Sequence, residues 1–213
     1  MSSKRFLFIF LILALASQAC SSIGSKVSPN DVLFSDDFTD TSRKWDQSSD
    51  ATHTTGYYNS SYRITVNEVS SNIWANPDSE SFTDTRIEVD ATKNSGPEDN
   101  LYGVICRYTG VDQFYYAVIS SDGYYAISKM TSSGVKQIGH DKMLQSDKIT
   151  QGGATNHIRF DCVGSTLALY VNSKQVDLQK DSDYSTGNVG LIAGTFTNRG
   201  TDILFDNFYV YKP

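Results

Sequence analysis

Glutamate is scarce in this sequence: Glu68, Glu80, Glu88 and Glu98 are all there is in 213 residues. Chemistry that needs two flanking carboxylates, such as cleavage of a glycosidic bond, therefore has few places to be built. Histidine is equally thin. His53, His140 and His157 are scattered, and none sits in an HExxH or other metal-binding spacing. No CxxC pair exists to hold zinc. No Gly-x-Ser-x-Gly elbow supplies an activated serine. Gly152-Gly153 lacks the Gly-Lys-Ser/Thr that a phosphate-cradling loop carries. Basic residues are too few as well, 18 Lys and Arg against 24 Asp and Glu. Phosphate-rich partners need clustered Lys and Arg, so nucleic acid and anionic lipid surfaces are excluded as ligands. Finally, no segment keeps a 3.6-residue apolar period, and no internal repeat is present.

What is present begins at the N-terminus. Lys4 and Arg5 precede an uncharged apolar run from Phe6 to Ala16. The run is short of the roughly 20 residues needed to span a bilayer core. It has no polar face, which a buried core helix would show. With small residues following at Ala16, Ser17 and Ala19, it reads as a secretion signal covering residues 1–19. Two processing routes fit. Ser17-Gln18-Ala19 suits ordinary cleavage. The same stretch resembles a bacterial lipobox, whose cysteine, here Cys20, is lipidated and becomes the new N-terminus. Ser17 stands where the lipobox usually has Leu. Residues 20–30 then form a small, polar tether, Ser21-Ser22-Ile23-Gly24-Ser25 being its clearest part. The expectation is an exported lipoprotein at the cell membrane or surface, with plain secretion as the alternative. Loss of Lys4 and Arg5 changes the net charge from −6 to −8.

Residues 31–213 suit one domain with a real core. With Cys20 acylated, Cys106 and Cys162 remain as an even pair in an oxidising compartment. A disulfide and two buried free thiols both fit. Alternation of period two dominates after Asp31. It marks Tyr62–Val66, Thr85–Ala91, Leu101–Tyr108, Gln113–Ser120, Tyr124–Met130, Val135–Ile138, His157–Val163, Thr166–Val171, Gln175–Leu178, Asn188–Phe196 and Asp202–Tyr211. Asp122-Gly123 predicts a two-residue hairpin turn. Thr39–Asp50 and Lys93–Asn100 read as loops. About a dozen short strands at this spacing predict an all-β sandwich or barrel.

Several segments, in order, carry a family resemblance: Phe34-Ser35-Asp36-Asp37-Phe38, Trp45, Arg86–Ala91, Gly103–Tyr108, Phe114-Tyr115-Tyr116, Val189-Gly190-Leu191 and Phe205-Asp206-Asn207-Phe208. Together they resemble the concanavalin A-like lectin/glucanase superfamily, above all its laminin-G-like and 3-keto-disaccharide-hydrolase-like domains in bacterial lipoproteins. The resemblance covers residues 31–213. It implies an antiparallel two-sheet jelly-roll sandwich with one concave sheet, and a carbohydrate ligand. The glucanases of the superfamily carry Glu-x-Asp-x-(x)-Glu on one strand. Here Glu88 and Asp90 match the first two positions, but Thr92 or Lys93 stands at the third. Half of the retaining machinery is missing, and solvent-facing carboxylates are the preferred reading.

The expected function is non-catalytic binding of a polysaccharide or other glycan at the cell envelope. The alternatives are a glycoside hydrolase-like enzyme of the 3-keto-disaccharide type and a protein-binding envelope module. A monomer is expected, with no cofactor beyond a structural calcium. The expected ligand site is Arg107, Tyr116 and Tyr125 on the concave face, with Trp74. A mid-strand arginine must be paired or line a groove, and its fork could hold sugar hydroxyls or an acidic sugar. The competing reading pairs Arg107 with Glu88 or Asp90 as a structural bridge. The resemblance also implies calcium where the first and last strands meet, with Asp37 and Asp206 as oxygen ligands. Turn capping is the other reading of both.

Overall fold

A computed structural model describes residues 31–213, all in β-strands, turns and loops. The expected signal, Cys20 and the expected tether lie outside the described residues. Sixteen strands follow in order: β1 (Val32–Asp36), β2 (Ser48–Ser49), β3 (His53–Tyr58), β4 (Ser61–Val66), β5 (Asn72–Ala75), β6 (Thr85–Ser95), β7 (Asn100–Gly110), β8 (Gln113–Ile119), β9 (Tyr124–Thr131), β10 (Gly134–Gln137), β11 (Leu144–Gln145), β12 (Asn156–Val163), β13 (Thr166–Val171), β14 (Lys174–Lys180), β15 (Asn188–Thr195) and β16 (Thr201–Tyr211). They form two antiparallel sheets. The nine-stranded sheet runs β14-β13-β12-β6-β16-β4-β3-β2, with β1 also on β16. The seven-stranded sheet runs β10-β9-β8-β7-β15-β5, with β11 also on β9.

The alternation does what period two requires. In β6, Ile87, Val89 and Ala91 point inward, while Arg86, Glu88 and Asp90 point to solvent. In β12, Ile158, Phe160 and Cys162 point inward, while His157, Arg159 and Asp161 point out. These inward sets meet Tyr102, Val104, Tyr115, Ala117, Ile119, Val189 and Leu191 of the other sheet in one continuous core. Trp45, from the loop before β2, is buried among Phe34, Phe38, Tyr62 and Phe208. Its indole donates to Asp36 Oδ2 at 2.9 Å. Cys106 of β7 and Cys162 of β12 are joined by a disulfide, which ties the two sheets together across the core.

The seven-stranded sheet is different, because both its faces are apolar. A second cluster of Leu101, Ile105, Phe114, Tyr116, Val118, Ala126 and Ile192 lies on the face turned away from the core. This outer face is where a site can be built.

Two local departures from regular pairing decide which side chains reach it. The β8–β9 connection is one residue longer than the Asp122-Gly123 turn expected from sequence. Gly123 N donates to Ser120 O at 3.1 Å, Gly123 has φ +96°, and Ser120 pairs with Tyr124. This is a three-residue loop: a type I turn closed by a left-handed glycine. A shift of one residue moves every side chain of a strand to the opposite face. Tyr116 therefore faces Ser128, and Tyr125 faces Ile119. The second departure is a bulge in β7 after Cys106. Arg107 sits there with φ +56°, a conformation rare for a residue with a Cβ. The bulge turns Arg107 off the face of Ile105 and gives that place to Tyr108.

Candidate functional site

The outer face of the seven-stranded sheet carries a groove of about 430 Å³. All six strands of the main path contribute to it: Asn72 from β5, Thr195 from β15, Leu101 from β7, Tyr116 and Val118 from β8, Ala126 and Ser128 from β9, Val135 and Gln137 from β10. A face on which both edge strands line one groove is cupped. Met143 and Phe196 close one end and also border a second hollow of about 320 Å³, with Asp99, Asp122, Tyr124 and Lys142. The two hollows are thus neighbours, and each lies within the size range of ligand pockets.

The floor of the main groove is apolar and its walls are neutral. No Asp, Glu, Lys or Arg lines it. Charge is confined to the extension. Tyr116 is almost fully buried, at 2% exposure. Burial pushes its phenol up to about 12, against the hydrogen bond to the Ser128 side chain, so it stays neutral and able to donate. Thr195 Oγ1 is already committed, to the Glu68 and Ser71 carbonyls. The side-chain amides of Asn72 and Gln137 make no side-chain hydrogen bond among the described residues, and Gln137 Oε1 is buried without a partner. Two uncommitted amides therefore border the groove, one from each edge strand. Each offers donors and an acceptor.

Of the residues expected from sequence, Tyr116 lines this groove. Trp74 belongs to the same outer cluster, half-buried, 5.3 Å from Phe114, which in turn contacts Tyr116. Tyr125 is not on this face. The register places it in the core between the sheets, at 9% exposure. Its neighbour Tyr124 reaches the groove extension instead, 37% exposed.

Arg107 is not on this face either. It is 2% exposed, and its guanidinium is spent on the protein. Nε donates to Thr83 O (3.1 Å), Nη1 to Tyr184 O (2.8 Å), and Nη2 to Asp84 Oδ1 (3.3 Å) and Cys162 O (3.5 Å). It is a structural arginine, but its carboxylate partner is Asp84 rather than Glu88 or Asp90. Those two lie on the solvent face of the nine-stranded sheet beside His157. Nδ1 is 2.8 Å from Asp90 and Nε2 is 3.6 Å from Glu88.

Asp37 and Asp206 act as local caps. Asp37 accepts from the Thr39 amide (3.1 Å) and hydroxyl (2.7 Å), and Asp206 from the Asn207 amide (2.7 Å). No group of three or more His, Cys, Asp or Glu able to hold a metal occurs among the described residues.

Sequence reasoning missed Asn72, Ser128, Gln137, Met143 and Phe196. A polar residue at an edge strand carries no signal of its own, and only the cupped shape of the sheet brings these side chains together.

Neither a protein-family model nor a curated protein matches this sequence. Solved structures do match in shape. A carbohydrate-binding module, CBM66 from Bacillus subtilis, aligns at a TM-score of 0.64 with 15% identity, over 78% of this chain and 94% of that one. A Bacillus subtilis protein with a galectin-like fold aligns at 0.60 with 10% identity, over 88% and 98%. A GH16 protein of the Bacteroides ovatus mixed-linkage glucan locus, solved with an oligosaccharide product, aligns at 0.58 with 11% identity, over 84% and 100%. At these identities the common property is architecture: the fold of this chain is the concanavalin A-like jelly-roll sandwich.

Proposed function

We propose that this chain is a non-catalytic glycan-binding module, held at the outside of the cell by a lipid on Cys20. The observation that carries the binding reading is the neutral, apolar-floored groove crossed by all six main strands of one cupped sheet. Sugar rings have apolar C–H faces and a rim of hydroxyls. An apolar floor with a few convergent neutral polar groups is what such a surface needs. Likeness in fold to a carbohydrate-binding module and to a glucan-bound GH16 protein supports the same reading. The absence of any carboxylate from the main groove supports binding without cleavage. The anchor rests on residues 1–30, and mass spectrometry of the mature N-terminus tests it: a diacylated Cys20 is expected, and an unmodified terminus would leave a secreted module.

Binding is tested on a glycan array with the mature domain, wild type beside an Asn72→Ala/Gln137→Ala double variant. Wild-type binding that the double variant loses supports the groove. Undiminished binding by the variant would place the ligand elsewhere.

One observation favours a second reading, a glycoside hydrolase-like enzyme of the 3-keto-disaccharide type. Asp99 and Asp122 both line the extension beside Tyr124. Incubation of the bound glycans with wild type, followed by chromatography of the products, decides it. Cleavage that an Asp99→Asn/Asp122→Asn variant lacks would establish the enzyme, and intact glycan is expected.

A further inference from the structure

The main groove is more apolar than an unsubstituted hexose requires. Its floor is Leu101, Val118 and Ala126, with Met143 and Phe196 closing one end. A plain hexose carries hydroxyls around its whole rim. Each hydroxyl stripped of water against such a floor, without a partner, is a net loss. The polar side chains present are five hydroxyls and two amides. Ser70 donates to the Phe196 carbonyl and Thr197 to Asp99. Tyr116 and Ser128 face each other across the β8–β9 pair, and each is only 2% exposed. Thr195 is committed to backbone. What remains uncommitted is the pair of amides, Asn72 on β5 and Gln137 on β10, with a buried unpartnered acceptor at Gln137 Oε1. The groove thus offers apolar area for a small alkyl group, plus amide donors and acceptors, and no charge.

From this we infer that the glycan bound in the groove carries an acetamido group, as N-acetylhexosamines do. The inference rests on the glycan-binding reading given above and names the ligand class for that same site. An acetamido group matches the three properties at once. Its methyl can cover the apolar floor. Its N–H is a donor for a side-chain amide oxygen, and its carbonyl is an acceptor for an amide N–H. It is neutral, as the groove walls are. A deoxy sugar would supply the methyl without the amide, and a uronic or sialic acid would bring a carboxylate to a groove with no cation. The one lysine nearby, Lys142, lines the extension and not the main groove.

The extra methyl and one amide hydrogen bond together should make the N-acetylated ligand about tenfold tighter than its unsubstituted match. The test uses matched pairs on one array: oligosaccharides of the same linkage and length with and without the N-acetyl group, in both the gluco and galacto series. Titration calorimetry of the best pair follows. Preference of about tenfold for the acetylated member, abolished by Ala126→Leu, which fills the floor, is the expected result. Equal affinity for both members would overturn the acetamido inference and leave the glycan-binding reading standing. Binding of no glycan of either kind would overturn both. Circular dichroism and a melting curve for Ala126→Leu confirm that the variant is folded. A preference that survives in the folded variant would also overturn the assignment of the methyl to this floor.

Discussion

Tyr116 and Tyr125 belong to one hairpin yet point to opposite faces of the sheet, the first toward the groove and the second into the core. A two-residue turn at Asp122-Gly123 would have set Tyr116 against Lys129 and put both tyrosines on one side. The three-residue loop sets it against Ser128. The separation predicts different consequences for two substitutions. Tyr125→Ala removes a core side chain and should cost about 3 kcal/mol of stability. Gln137→Ala lies at the groove and should stay within about 0.5 kcal/mol while weakening glycan binding. Urea unfolding of both variants, with binding of the best array ligand, checks the contrast.

Arg107 is expected to matter for folding alone. Truncation to Ala strands the buried carbonyl of Cys162, takes the donor from the Thr83 and Tyr184 carbonyls, and removes the ion pair with Asp84. The expected loss is about 3–5 kcal/mol. Lys should rescue little, since one ammonium cannot reach acceptors arranged around a planar fork. At temperatures where the variant is folded, its glycan affinity should equal that of wild type. A folded Arg107→Ala that loses binding would return the residue to the site.

The Cys106–Cys162 disulfide closes a stretch of 56 residues that includes the whole β8–β9 hairpin. On the chain-entropy model, a loop of this size is worth about 4 kcal/mol through its effect on the unfolded state. The urea midpoint should drop markedly in reductant or in a Cys106→Ala/Cys162→Ala variant. Equal midpoints with and without the bond would show that the core holds the two sheets together unaided.

Much of the sandwich is legible in the sequence. The alternation in β4, β6, β12 and β13 states which residues face the core, because one face of each strand meets water. It fails where that contrast is lost. In β7, β8 and β9 both faces are apolar, so parity names no outer side. β3 has few apolar residues to register, and the edge strand β5 is only four residues long. The bulge at Arg107 leaves no local mark, because the cause is tertiary. Four acceptors from distant segments, with Gly187 packed against the Arg107 backbone, hold a conformation that costs energy by itself. Tyr116 and Trp74 were within reach of sequence reasoning as aromatics of the outer cluster. Asn72 and Gln137 were not.

Acid should loosen the fold partly through Asp202. Its carboxylate is bound by Arg63 in a bidentate pair at 2.8 Å and 2.8 Å, by Asn94 at 2.7 Å and by Ser95 at 3.3 Å. Burial alone would raise its pKa, but these donors outweigh burial and hold it below the usual carboxylate value. A depressed folded pKa means that the stabilisation is complete above the unfolded pKa of about 4 and is lost as pH falls through the folded value. Urea midpoints from pH 7 down to about pH 2.5 should therefore fall on the acid side, and Asp202→Asn should start lower and fall less. An identical acid slope in the variant would remove Asp202 from the account.

Gly194 gives the sharpest test of the groove wall. It lies on the outer face of β15, where an added Cβ would stand 2.2 Å from Asn72 Oδ1, 2.8 Å from Ser71 O and 3.1 Å from Leu101 Cδ1. Two of these neighbours, Asn72 and Leu101, line the groove. The Asn72 side chain is the part that can move, so Gly194→Ala should displace it. Overpacking of this size costs about 1–3 kcal/mol of stability. The binding loss should match that of Asn72→Ala, because both changes remove the same amide from the same place. The double variant should then bind no worse than either single one, the signature of two changes acting through one contact. Additive losses would mean that Gly194 shapes the site through the Leu101 floor, and that the Asn72 amide makes its contribution independently.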